Sequence, residues 1–109
     1  MSVDLPIPIA RYVAADNRGD TEAVVQCFAE RAVVRDEGHT FEGVDAIKRW
    51  KAEAKKKYQY TVEPLSSTQK DGQTIVTSRL TGTFPGSPTN LQFIFTLNGD
   101  KITSLEIRE

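Results

Sequence analysis

Apolar and polar positions alternate with two different periods along this chain, and the change of period divides it. Between residues 5 and 17, Ile9, Tyr12, Val13 and Asp16 fall at i, i+3, i+4 and i+7, so a helix puts them on one face. Pro6 and Pro8 suit only the entry of that helix, where a missing N–H costs nothing, and Gly19 ends it. Asp20 caps a second helix predicted to reach about Ala29, with Val24, Cys27 and Phe28 on its buried side. Ala32 to Asp36 is a short β-rich run, Glu37 to His39 a turn, and Thr40 to Glu42 a returning strand. A third helix is predicted over Val44 to Lys57, its apolar stripe being Val44, Ile47, Trp50 and Ala54, continuing toward Tyr58. From there the period falls to two. Tyr58, Tyr60 and Val62 alternate ahead of Pro64, which marks an edge, a bend or a bulge. Asp71-Gly72 is a hairpin signal, followed by a strand from about Thr74 to Phe84 and a turn at Pro85-Gly86-Ser87-Pro88. Leu91, Phe93, Phe95 and Leu97 alternate strictly, so one face of that strand is buried. Asn98-Gly99 turns the chain into a last strand, Ile102 to Ile107. Helices first and hairpin-linked strands after them, in the order ααββαββββ, predict an α+β fold with an antiparallel sheet. A strongly bent sheet with helices on its concave side would leave a conical cavity.

Length and composition narrow the classes. A chain of 109 residues is read as one domain, 1–109, with enough chain for one core. Hydrophobic residues make up 39% and charged residues 27%, a balance that excludes a disordered chain. The net charge of -1 provides no general attraction to nucleic acid or to a membrane surface. Cys27 is the single cysteine, so no internal disulfide forms, which fits a reducing compartment. The N-terminus has no basic segment leading into an apolar run, and no apolar run approaches the ~20 residues of a membrane span. The expectation is a soluble, cytoplasmic protein. Lys48, Arg49, Lys51, Lys55, Lys56 and Lys57 make the third helix basic. Without interleaved aromatics they read as a solvated outer face rather than a nucleic-acid site.

Candidate chemistry is sparse. Tyr12 lies on an apolar helix face, either as a core tyrosine or as a donor to a ligand carbonyl. Asp16, four residues on, faces the same way; it either bonds locally at the helix end or forms a second carboxylate in a cavity. Asp36 either stabilises the turn that follows it or acts as a base in an apolar pocket. His39 is the only histidine, a solvated loop residue or a proton carrier at a pocket rim. No second histidine and no Cys/His cluster accompany it, so neither a metal nor a cofactor is expected. Cys27 reads as a small buried hydrophobe. Trp50, Tyr58, Tyr60, Phe84, Phe93 and Phe95 are the large aromatics available to line an apolar ligand pocket.

Four segments carry a family likeness: Arg11-Tyr12-Val13-Ala14-Ala15-Asp16-Asn17-Arg18-Gly19-Asp20, Phe28-Ala29, Ala32-Val33-Val34-Arg35-Asp36, and Gly43-Val44-Asp45-Ala46-Ile47. Over nearly its whole length the chain resembles the nuclear transport factor 2-like superfamily, in its ketosteroid isomerase and SnoaL-like polyketide cyclase branch. The resemblance implies a cone-shaped fold, with three helices packed on a strongly curved, mainly antiparallel sheet. It implies a small apolar molecule in the cone and a homodimer formed through the outer sheet face. On that face Gln92, Ile94 and Thr96 would lie beside Ile75, Thr77, Thr81 and Thr83. It implies Tyr12 as oxyanion donor and Asp36 as general base. Phe93 stands where the isomerases carry a second, protonated aspartate donor, and phenylalanine cannot donate a hydrogen bond. Asp16 stands where they carry an apolar residue. Two functions stay open: a cofactor-independent enzyme moving a proton next to a carbonyl, or a non-catalytic small-ligand-binding or dimerisation module.

Overall fold

A computed structural model describes residues 3–109; residues 1 and 2, which open the predicted domain, lie outside the described residues. The element order is α1 (Ile7–Arg18), α2 (Thr21–Gln26), β1 (Phe28–Asp36), β2 (His39–Glu42), α3 (Val44–Tyr58), β3 (Tyr60–Lys70), β4 (Gln73–Gly82), β5 (Thr89–Asn98) and β6 (Lys101–Arg108). The six strands form one curved, open sheet in the order β2-β1-β6-β5-β4-β3. Every neighbouring pair is antiparallel except β1 and β6. The expected α+β cone is therefore the fold observed. The core lies between the helices and the sheet, where Ile9, Val24, Ile47, Val76, Phe95 and Leu105 are all buried.

Local chemistry fixes the element ends. Gly19 leaves α1 in the left-handed region at φ 72, and Asp20 caps α2 by accepting from the Ala23 N–H at 3.1 Å. Asn17 then joins α1 to the sheet. Its side-chain amide donates to the Val62 carbonyl at 2.9 Å, and its amide oxygen accepts from the Val62 N–H at 2.8 Å. One side chain thus mimics a strand against β3, an edge of the sheet.

The structure corrects three boundaries. The second helix stops at Gln26 rather than Ala29, because Phe28 pairs with Ile102 of β6 and the Ile102 N–H bonds to the Cys27 carbonyl at 2.8 Å. A parallel partner far along the chain claims a backbone that the local pattern would leave helical. Tyr58 ends α3 rather than beginning a strand; Gln59 takes the left-handed conformation at φ 41, and β3 starts at Tyr60. The fourth strand ends at Gly82, short of Phe84. The irregularity expected at Pro64 appears as a register shift between Pro64 and Ser66 on the edge strand.

Gly82 sits opposite Tyr60 in the β3–β4 ladder. A Cβ at Gly82 would lie 2.8 Å from both the Gln59 carbonyl oxygen and the Tyr60 Cα. These are backbone atoms, so the strand itself must move to accept it. Gly82→Ala is expected to displace Tyr60 and destabilise the fold by about 1–3 kcal/mol, seen as a lower urea midpoint with an unchanged slope. An unchanged midpoint would show that β3 yields at no cost.

Candidate functional site

The third helix supplies most of the site, and it does so with a residue expected outside. Lys51 is only 1% exposed. It therefore does not belong to the solvated basic face, nor does Lys55, whose side chain is 16% exposed. The geometry of the helix explains this. Ile47, Trp50, Lys51 and Ala54 occupy i, i+3, i+4 and i+7, so Lys51 completes the apolar stripe. Lys55 lies one turn further on.

Around the Lys51 ammonium the structure gathers three oxygens from distant parts of the chain. Nζ donates to the Tyr12 hydroxyl at 3.0 Å and the Tyr60 hydroxyl at 2.7 Å, and lies 3.3 Å from Asp16 Oδ1. The Tyr60 hydroxyl donates to the same Asp16 oxygen at 3.3 Å. Lys55 Nζ is 3.8 Å from that oxygen and donates to the Tyr60 carbonyl at 2.6 Å. Asp16 Oδ2 is buried with no hydrogen-bond partner among the described residues. The Lys51 ammonium also lies 4.2 Å from the centre of the Trp50 ring, 5.1 Å from Tyr12 and 5.4 Å from Tyr60. The Trp50 face adds attraction that water no longer supplies, while the two tyrosines meet the ammonium through their hydroxyls.

This enclosure shifts the titrating groups. Burial pulls the Lys51 ammonium below the usual lysine value, while the Asp16 carboxylate beside it pulls back upward. Burial pushes both the Tyr12 and the Tyr60 phenols up, and the Asp16 charge adds to that push. Both tyrosines thus stay protonated as donors and acceptors at neutral pH.

Beyond this cluster lies an open cavity of about 440 Å³. Trp50, Tyr58, Tyr60, Phe84 and Phe93 line it, together with Leu80, Leu91 and Ile107. Lys51 and Asp36 also line it. Tyr12 and Asp16 are absent from its wall and stand behind Lys51. Phe95 is absent as well: its ring packs at 5.6 Å on Tyr12 and 6.4 Å on Phe93, inside the core. His39 is exposed and lines a smaller neighbouring recess of about 180 Å³, which shares Asp36, Trp50 and Tyr58 with the main cavity. Cys27 is buried, as expected.

Asp36 is placed by a two-residue turn. It pairs with His39 across the β1–β2 hairpin, and Glu37 and Gly38 both have positive φ, 53 and 77, as the tightest hairpin turns require. The carboxylate Oδ2 accepts from the Trp50 indole N–H at 3.0 Å. A single indole therefore holds Asp36 at its edge and Lys51 over its face. Chemically, the cavity presents mostly apolar aromatic walls, one carboxylate held by an indole, one ammonium held by its neighbours, and the further carboxylates of Glu37 and Glu109. Among the described residues no group of three His, Cys, Asp or Glu side chains is placed to hold a metal ion.

Residues 9–105 match the SnoaL-like domain family, and the chain belongs to that family. No curated protein matches it in sequence at a significant level. A solved structure from Sinorhizobium meliloti, provisionally assigned as a polyketide cyclase, is 44% identical with a TM-score of 0.92, covering 96% of each chain. A Catenulispora acidiphila protein of ketosteroid isomerase-like fold, crystallised with trimethylamine, is 20% identical with a TM-score of 0.85 over 97% of this chain and 87% of that one. The Orange Carotenoid Protein of Anabaena, bound to canthaxanthin, is 20% identical with a TM-score of 0.82, over 99% of this chain and 37% of that one. The last two likenesses show the fold. No helix of the described residues is long and apolar enough to cross a membrane.

The buried pair generates a stability prediction. Lys51→Met takes from the buried Asp16 its nearer cation and leaves it only the Tyr60 hydroxyl and the more distant Lys55, so it is expected to cost up to about 3–5 kcal/mol. The double variant Asp16→Leu/Lys51→Met removes both charges and should recover most of that loss. Chemical denaturation of the wild type, both single variants and the double variant measures the coupling. Additive losses would mean that Lys51 and Asp16 do not depend on one another.

Proposed function

We propose that the cavity binds a small, largely apolar molecule bearing a carbonyl group and moves a proton on the carbon beside that carbonyl. One observation carries the reading: Asp36 and Lys51, opposite in charge, line the same aromatic cavity and are held by one Trp50 side chain. Such a pocket, apolar with a few placed polar groups, is the usual form of a small-molecule site. The provisional polyketide cyclase assignment of the Sinorhizobium meliloti protein, at 44% identity, supports it.

In this reading Asp36 is the base that takes the α-proton. The indole N–H that holds it fixes the direction of the carboxylate and leaves its other oxygen, Oδ1, for substrate. The charge that develops on the carbonyl oxygen is met by Lys51, whose ammonium is buried in the cavity wall and held in place by its hydrogen bonds. Tyr12 acts through Lys51 rather than on the substrate, since its hydroxyl accepts the lysine's hydrogen bond behind the cavity wall. Asp16 holds the same ammonium from a second side. Phe93 adds apolar wall where a second donor would otherwise stand. Proton transfer of this kind uses side chains alone.

The test uses 2-tetralone, a bulky ketone with an exchangeable α-position, in deuterated buffer. The wild type should accelerate exchange, and Asp36→Asn should reduce that acceleration by about 100-fold or more while ligand-induced quenching of Trp50 fluorescence persists. Binding with no acceleration, or acceleration indifferent to Asp36→Asn, would remove catalysis by Asp36 and leave a ligand-binding module.

A further inference from the structure

Lys51 is more than a charge at the end of a pocket. It is a primary amine, almost wholly buried at the wall of a cavity whose other lining is mostly aromatic and aliphatic carbon with the Asp36, Glu37 and Glu109 carboxylates, and it has a proton acceptor beside it. We propose that Lys51 forms a covalent iminium with the carbonyl carbon of a ketone or aldehyde bound in the cavity, and that Asp36 removes the adjacent α-proton from that iminium. The proposal rests on the reading of the cavity as a carbonyl site and assigns the way in which the carbonyl is activated.

Four features of the site meet what this chemistry needs. The amine must lose a proton to attack, and Asp16 Oδ1 lies 3.3 Å away to take it. The other Asp16 oxygen is buried without a partner, so the carboxyl group has a free position to hold a proton. Lys55, 3.8 Å from Asp16, keeps a positive charge in the cluster while Lys51 is neutral. The Tyr12 and Tyr60 hydroxyls, 3.0 and 2.7 Å from Nζ, fix its position and can relay protons. Burial of the amine favours its neutral form, in keeping with the downward pull on its titration.

The steps balance without any further reagent. The Lys51 ammonium passes one proton to Asp16. The nitrogen lone pair forms the N–C bond as the C=O π pair moves onto oxygen, and that oxygen takes a second proton from the nitrogen. The resulting hydroxyl takes the proton held by Asp16 and leaves as water while the nitrogen lone pair closes the C=N bond. The sum is ammonium plus ketone giving protonated iminium plus one water. Asp36 then takes the α-proton; the C–H pair becomes the C=C bond and the C=N π pair returns to nitrogen as an enamine. Reprotonation on carbon and hydrolysis by water restore the ketone and the Lys51 ammonium. A protonated iminium is a stronger electron sink than a carbonyl facing a neighbouring charge, which matches a site lacking a second donor at Phe93.

The experiment treats the full chain with 2-tetralone and sodium cyanoborohydride, then locates adducts by intact mass and peptide mapping. The expected result is one adduct on Lys51, with the mass of the ketone less one oxygen. Lys48, Lys55, Lys56 and Lys57 on the same helix serve as internal controls and should carry less label. Excess 2-tetralol, which has the same shape without a carbonyl, should protect Lys51, and this arm needs no variant. Lys51→Arg keeps a cation but cannot form the imine, so it should lose the adduct. Label spread over the surface lysines with none on Lys51 overturns the proposal. If Lys51 stays unlabelled while Asp36-dependent exchange proceeds, the imine alone fails and the carbonyl site stands. If labelling and exchange both fail, the carbonyl reading of the cavity fails with it.

Discussion

The ammonium that this structure sets in its cavity wall depends on one buried ion pair, Lys51 with Asp16. The two residues come from α3 and α1, and the hydroxyl that joins them comes from Tyr60 at the start of β3. Taking two charges out of water costs several kcal/mol for each ion, and the pair repays this only with good geometry and satisfied hydrogen bonds. Two tyrosine hydroxyls, a second lysine and the Trp50 face go part of the way to meeting that condition, while Asp16 Oδ2 has no partner among the described residues. An apolar set of the same volume could stabilise the fold as well or better. What it could not supply is an ammonium fixed in the wall of an apolar cavity.

The opposite side of the cavity is built by other means. Asp36 owes its place to a two-residue hairpin turn and to Trp50, not to the buried cluster. The carboxylate and the ammonium are thus positioned by different elements, β1 and α3, and meet only through one indole. This separation lets the curved sheet hold a carboxylate and an ammonium in one pocket without neutralising them by direct contact. Asn17 contributes at a distance, since its bonds to Val62 hold the end of α1 that carries Asp16 against the strand that carries Tyr60.

Much of the fold was legible in the sequence because its signals are local. Alternation at Leu91 to Leu97, the turn residues at Asp71-Gly72 and Asn98-Gly99, and the caps at Gly19 and Asp20 each act within a few residues. The start of β1 was not legible, because Phe28 pairs with Ile102 far along the chain. Within the site, Asp36, Trp50, Tyr58, Tyr60, Phe84 and Phe93 stand in the cavity wall, whereas Tyr12 and Asp16 lie one layer deeper and Phe95 lies in the core. The residue that sequence reasoning passed over was Lys51. Its charge placed it outside, although its spacing from Ile47 and Trp50 placed it on the buried stripe. Spacing was the better guide, because a buried lysine is tolerated wherever the fold brings acceptors to it, and Tyr12, Asp16 and Tyr60 lie too far away in sequence for any local pattern to show that.

The account stands or falls on whether the Lys51 charge is felt inside the cavity. A series of phenols of one shape and rising acidity places a progressively more anionic oxygen in the pocket, and quenching of Trp50 fluorescence reports the affinity of each. The account predicts that affinity at constant pH rises steadily with phenol acidity. A flat series, or one that weakens as the oxygen becomes more anionic, would contradict it and leave a cavity governed by its aromatic walls and the carboxylates of Asp36, Glu37 and Glu109.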